Sequence, residues 1–125
     1  MRIYCAVTRA ELEVLDRLGG IESDLVSSLT IFAQTQQWIA EQDESDPEVL
    51  DDEILQQAAQ ADTGYVLVTE VAPANLTEQN PVAGLVQANM PIRLKDVAAF
   101  FQVDEENDIS WFGPTELPVL LELGR

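Results

Sequence analysis

Carboxylates are the only plentiful reactive side chains in this chain, which has 23 Asp and Glu against 6 Lys and Arg and no histidine. Chemistry built from them alone would be Mg²⁺-assisted phosphoryl transfer or hydrolysis, in which converging oxygens hold a hard cation. Two segments are dense enough to consider, Asp43 to Glu53 and Asp104 to Asp108. In the second, Asp104, Glu106 and Asp108 alternate like the start of a calcium loop. Such a loop needs Gly at the next position and a bidentate Glu at its end, where this chain has Ile109 and Thr115. In the first, Glu48, Asp51, Asp52 and Glu53 fall in the opening turns of a predicted helix, where negative charge is favoured by the unsatisfied N–H groups. A solvated charged turn or helix start is the simpler reading of both clusters.

Other chemistries lack their parts. Without histidine there is no Ser/His/Asp or Cys/His arrangement and no imidazole metal ligand. No G-x-S-x-G elbow, G-x-x-x-x-G-K-[ST] phosphate loop or G-x-G-x-x-G turn occurs, and Gly19-Gly20 closes a helix rather than opening one. Cys5 is the single cysteine, so it has no partner for an intramolecular disulfide. Its alternation with Ile3 and Val7 predicts a buried small hydrophobe. No cofactor is implied.

The charge distribution is the stronger signal. The net charge is −17, and no Lys or Arg occurs from Leu18 to Ile92, a segment that carries 13 of the acids. Such a surface repels phosphates and anionic lipid and attracts basic proteins, which argues against direct nucleic-acid binding. The first apolar residues end at Val7, too short a run for a signal peptide, and no stretch approaches the roughly 18 apolar residues of a membrane span. A cytoplasmic protein with no membrane contact is expected.

The elements that must position these groups follow from local pattern. Residues 2–7 alternate as a strand, and Thr8 with Glu11 forms a capping box for a helix that carries Leu12, Leu15 and Leu18 and ends at Gly19-Gly20. Leu29 to Ala33 reads as a strand, and Thr35 caps a short helix through Trp38 and Ile39. Asp46-Pro47 opens a helix over about 47–62, with Leu50, Ile54 and Ala58 on its inner face. Tyr65 to Val71 is the most β-prone run, Ala72 to Pro81 reads as a loop, and Val82 to Ala88 as a strand. A short helix over Leu94–Ala99, a strand over Phe100–Val103, a last strand over Ile109–Phe112 and a helix capped by Thr115 complete the chain. These predict one domain, residues 1–125, of α+β class. Its mixed sheet would have about five to six short strands with helices mainly on one face, as in ferredoxin-like folds. Ile3, Cys5, Val7, Leu12, Leu15, Ile31, Leu50, Ile54, Val66, Val68 and Leu85 are expected to share one core.

Several segments also resemble a family of small actinobacterial proteins of unknown function. They are Met1-Arg2-Ile3-Tyr4, Ile31-Phe32-Ala33-Gln34-Thr35 through Trp38, Val97-Ala98-Ala99 to Val103-Asp104, and Trp111-Phe112 through Thr115-Glu116-Leu117. The resemblance implies a bacterial cytoplasmic origin and brings no activity or catalytic residue. The family carries an Ala-rich helix where this chain has only the turn Asp104–Asp108.

The leading expectation is a non-catalytic binding or regulatory domain that presents Asp43, Glu44, Asp46, Glu48, Asp51 and Asp52, with Trp38 as an aromatic anchor, to a basic protein partner. Trp111, beside Ile109 in an alternating strand, is expected in the core. The alternatives are a carboxylate-based Mg²⁺-dependent phosphoryl-transfer enzyme or hydrolase, and acidity that serves solubility alone.

Overall fold

A computed structural model describes residues 1–123. Strand β1 (Arg2–Val7) leads into helix α1 (Arg9–Leu18), where the Thr8/Glu11 capping box forms and Gly19 closes the helix at φ 75°. A two-residue strand β2 (Gly20–Ile21) and a short helix α2 (Ser23–Val26) return the chain to strand β3 (Thr30–Ala33). Helix α3 (Gln36–Glu41) is capped by Thr35, and helix α4 (Pro47–Ala59) by Asp46, whose carboxylate accepts from the Glu48 amide at 3.0 Å. Strands β4 (Tyr65–Glu70), β5 (Leu76–Asn80), β6 (Leu85–Ala88), β7 (Ile92–Arg93), β8 (Val97–Val103) and β9 (Ile109–Phe112) follow, and helix α5 (Leu117–Leu123) ends the described chain.

Seven strands form one sheet in the order β5-β6-β3-β1-β4-β8-β9, and β2 pairs with β7 separately. Every pairing in the large sheet is antiparallel, in place of the expected mixed sheet of five or six strands. The difference begins with the connection from β1 to β3. Helix α1 carries the chain away from the end where β1 stops, and the segment from Gly19 to Leu29 brings it back, so β3 starts at that same end. Strand β5 lies where a loop is expected, because Leu76-Thr77-Glu78-Gln79-Asn80 has no apolar alternation; it forms by pairing with β6. Residues 97–99, expected as helix, belong to β8, preceded only by a 3₁₀ turn at Leu94–Asp96.

Helices cover both faces of the sheet, not mainly one, which leaves the ferredoxin-like expectation without support. The single expected core is accordingly two. Ile3, Cys5, Val7 and Ile31 pack with Leu12 and Leu15 of α1 and with Leu117 and Leu120 of α5 on one side. Tyr4, Phe32, Val66 and Val68 pack with Trp38, Leu50 and Ile54 on the other, where Leu85 is half-buried. The alternation of β1 across the sheet plane divides them. Among the described residues no helix is long and apolar enough to cross a membrane.

Candidate functional site

The α4 face of the sheet holds an open groove. Helix α4 seats Leu50, Ile54 and Ala58 over β1, β3 and β4, and its next stripe, Asp51 and Leu55, four residues apart, looks along the sheet toward β8. A helix with its side chains is about 10–12 Å across and strands lie about 4.8 Å apart, so one helix shades two to three strands. Strands β8 and β9 are left uncovered on this side. The resulting cavity of about 400 Å³ has Asp51 and Asp52 on its helix wall, Tyr4 and Val68 on its floor, and Phe101 and Trp111 on its far wall.

Strand register places the aromatic wall. Phe101 lies opposite Trp111 in the β8–β9 pair, so both side chains share the α4 face. The Trp111 indole leans along its strand over Gly113, where a Cβ would stand 3.3 Å from indole Cη2 and 3.2 Å from the Glu116 carboxylate. Beside the groove, Val68 pairs with Ala99 and Thr69 with Val97, so Ala98 bulges out of the ladder at the cavity edge.

The groove is predominantly negative. The Arg2 side chain reaches into it, but its Nε donates to Glu70 at 3.0 Å, which offsets the charge; this bond, before all else, holds the Arg2 guanidinium above its ordinary value. Asp51 accepts from the Gln34 amide at 2.6 Å through one oxygen and lines the groove, and Asp52 is exposed, its carboxylate without a hydrogen bond to the described residues. Burial, and then the nearby Asp51 charge, push the Tyr4 phenol above its ordinary value of 10.0, with Arg2 pulling the opposite way.

The expected site residues divide. Asp51 and Asp52 both line the groove wall. Asp43, Glu44, Asp46 and Glu48 are exposed ahead of it, and two of them serve the backbone: Glu44 accepts from the Ser45 and Asp46 amides, each at 3.0 Å, and Asp46 caps α4. None of the acids from Glu41 to Glu53 has an ion-pair partner among the described residues, whose three ion pairs involve only Glu70 and Glu13. The two tryptophans exchange their expected places. Trp38 is 2% exposed, its indole N–H donating to Gln57 at 2.9 Å, so it is a core residue and not a surface anchor. Trp111, expected in the core, is 62% exposed. Tyr4, Arg2 and Phe101 carry little signal in the sequence; the one hint is a polar-tipped aromatic among the apolar residues that follow Arg2 in the first strand.

The remaining candidates are structural. Asp104 accepts from the Glu106 and Asp108 amides at 2.8 and 2.9 Å and thereby shapes the β8–β9 turn, with Asn107 at φ 65°. Cys5 is fully buried, and burial pushes its thiol up to about 12, so no thiolate forms near neutral pH. Among the described residues no three Cys, Asp or Glu side chains gather as a metal site would require. Comparison of the chain with protein-family models, with curated proteins and with solved structures gave no match in any of the three.

Proposed function

We propose that this chain is a non-catalytic binding domain that receives a basic protein partner on the α4 side of its sheet, in the cytoplasmic setting expected from its sequence. One observation supports the reading: Asp51 and Asp52, without ion-pair partners among the described residues, stand on the wall of an open groove whose opposite wall exposes a tryptophan. Exposed aromatic area supplies contact energy at small entropic cost, and unpaired carboxylates steer a cationic partner toward it. The acids from Asp43 to Glu48 extend the same field ahead of the groove. Charge spread along one helix start suits steering, which acts over about 8–10 Å at physiological salt, better than it suits a metal cage.

The test compares two acidic pairs of equal charge on opposite faces. A ten-residue peptide with three arginines is titrated against the wild type, against Asp51→Asn with Asp52→Asn, and against Glu13→Gln with Asp16→Asn on α1, at low and moderate salt. The α4 pair is expected to weaken binding about tenfold at low salt, and the α1 pair by less than about twofold. Equal losses from the two pairs would mean that net charge alone attracts the peptide, and the α4 reading would fall.

A further inference from the structure

We infer that the groove between α4 and the β8–β9 hairpin holds the side chain of one arginine from the basic partner, its guanidinium stacked against Trp111 and paired with Asp51 and Asp52. This rests on the binding reading above and adds the chemistry of the residue recognised.

Three features of the cavity select that occupant. Its walls are apolar and aromatic from Val68 and Tyr4 round to Phe101 and Trp111, which matches the hydrocarbon stem and the flat faces of an arginine rather than a compact hydrated ammonium. Its helix wall carries two carboxylates, only one of which accepts a side-chain hydrogen bond from the described residues, and a guanidinium offers five donors in a planar fork to such acceptors. The one cation among its described lining residues, Arg2, is already held by Glu70, so Asp51 and Asp52 leave the cavity a negative excess that an incoming cation reduces. A second copy of this chain is disfavoured as the occupant, since each copy carries a net charge of −17.

The experiment uses the full chain and three versions of the ten-residue peptide: arginine, lysine at the same positions, and citrulline, which keeps the shape of arginine and loses its charge. Binding is read by titration and by the two indole N–H signals in nuclear magnetic resonance. The arginine peptide is expected to bind about fivefold more tightly than the lysine peptide and far more tightly than the citrulline peptide. It should move the Trp111 indole signal and leave that of Trp38 in place, and Trp111→Ala should remove the preference for arginine over lysine. The indole shift is read in the wild type and so decides the matter even if a variant proves unstable. Equal binding of the arginine and lysine peptides with an unmoved Trp111 signal overturns the groove inference. If both peptides still depend on Asp51 and Asp52, the wider binding reading survives that result; if neither peptide binds, both fall. Binding of the citrulline peptide as tight as that of arginine overturns the inference by assigning the groove to an uncharged ligand.

Discussion

The two faces of the sheet are built from similar material and finished differently. On one face α1 and α5 lie side by side, joined by the Arg9 guanidinium, which donates to the Leu121 carbonyl, and together they close the core from β1 out to Phe100 and Phe112. On the other, α4 is the one long helix. It shades the centre of the sheet and stops short of β8 and β9, so Phe101, Val103 and Ile109 stay half-buried and Trp111 faces solvent. The number of helices abreast decides whether an apolar face becomes a core or a groove. The same strand β8 serves both, with Phe100 sealed on one side and Phe101 lining the cavity on the other.

The sharpest way to break that comparison is to truncate one aromatic on each side. Phe100 is 0% exposed, and Phe100→Ala should destabilise the fold by about 3–5 kcal/mol. Trp111→Ala removes a larger side chain and should cost under about 1 kcal/mol, because little of the indole is withdrawn from water. Paired denaturant titrations measure both. Comparable losses would mean that the α4 face is as closed as its opposite.

A smaller effect is expected at the start of α4. Asp46→Ala removes the carboxylate that accepts the Glu48 amide and should cost about 1 kcal/mol. Because α4 carries the acidic wall, the same substitution should also weaken arginine-peptide binding modestly, whereas removing the Thr8 cap of α1 on the far side should cost similar stability and leave binding unchanged. Urea midpoints and peptide titrations on the two variants give the contrast. Equal effects on binding would unlink the groove from α4.

The smallest effect is a titration. Tyr4 is raised in the folded state above 10.0 by burial and then by Asp51, so the fold favours the neutral phenol. Its contribution to stability is therefore complete below about pH 10 and is lost as pH rises through the folded value. Asp51→Asn removes one of the raising influences, so the Tyr4 phenol should ionise at lower pH than in the wild type, read by near-ultraviolet absorbance. An unchanged or higher ionisation midpoint would place Asp51 too far from Tyr4 to share the groove.

What could be read in the sequence was what neighbouring residues decide. The Thr8/Glu11 capping box, the Gly19 stop, the Asp46-Pro47 start and the β-prone run from Tyr65 are each settled within a few residues, and each appears where expected. Strand β5 was hidden because Thr77, Glu78 and Gln79 take their conformation from β6 and not from their own pattern. The tryptophans show the same limit at the site. Periodicity tells which side chains share a face of an element, but not which face receives a helix, and that depends on pairings such as β4 with β8 that join distant residues. Trp38 has the sequence setting of an exposed residue on a short helix and is instead the contact of α3 with Gln57 and Gly84. Asp51 and Asp52 stand out in the sequence as acids of interest, whereas the aromatic wall opposite them needed the sheet order.

Binding of a basic partner at the uncovered end of the α4 face can be tested by mapping backbone amide shifts as the arginine peptide is added to the full chain. The largest shifts are expected in residues 50–55 of α4, in β8 and β9 around Phe101 and Trp111, and at Tyr4, with α1 and α5 unmoved. Shifts spread evenly over both faces, or centred on α1 and α5, would contradict it.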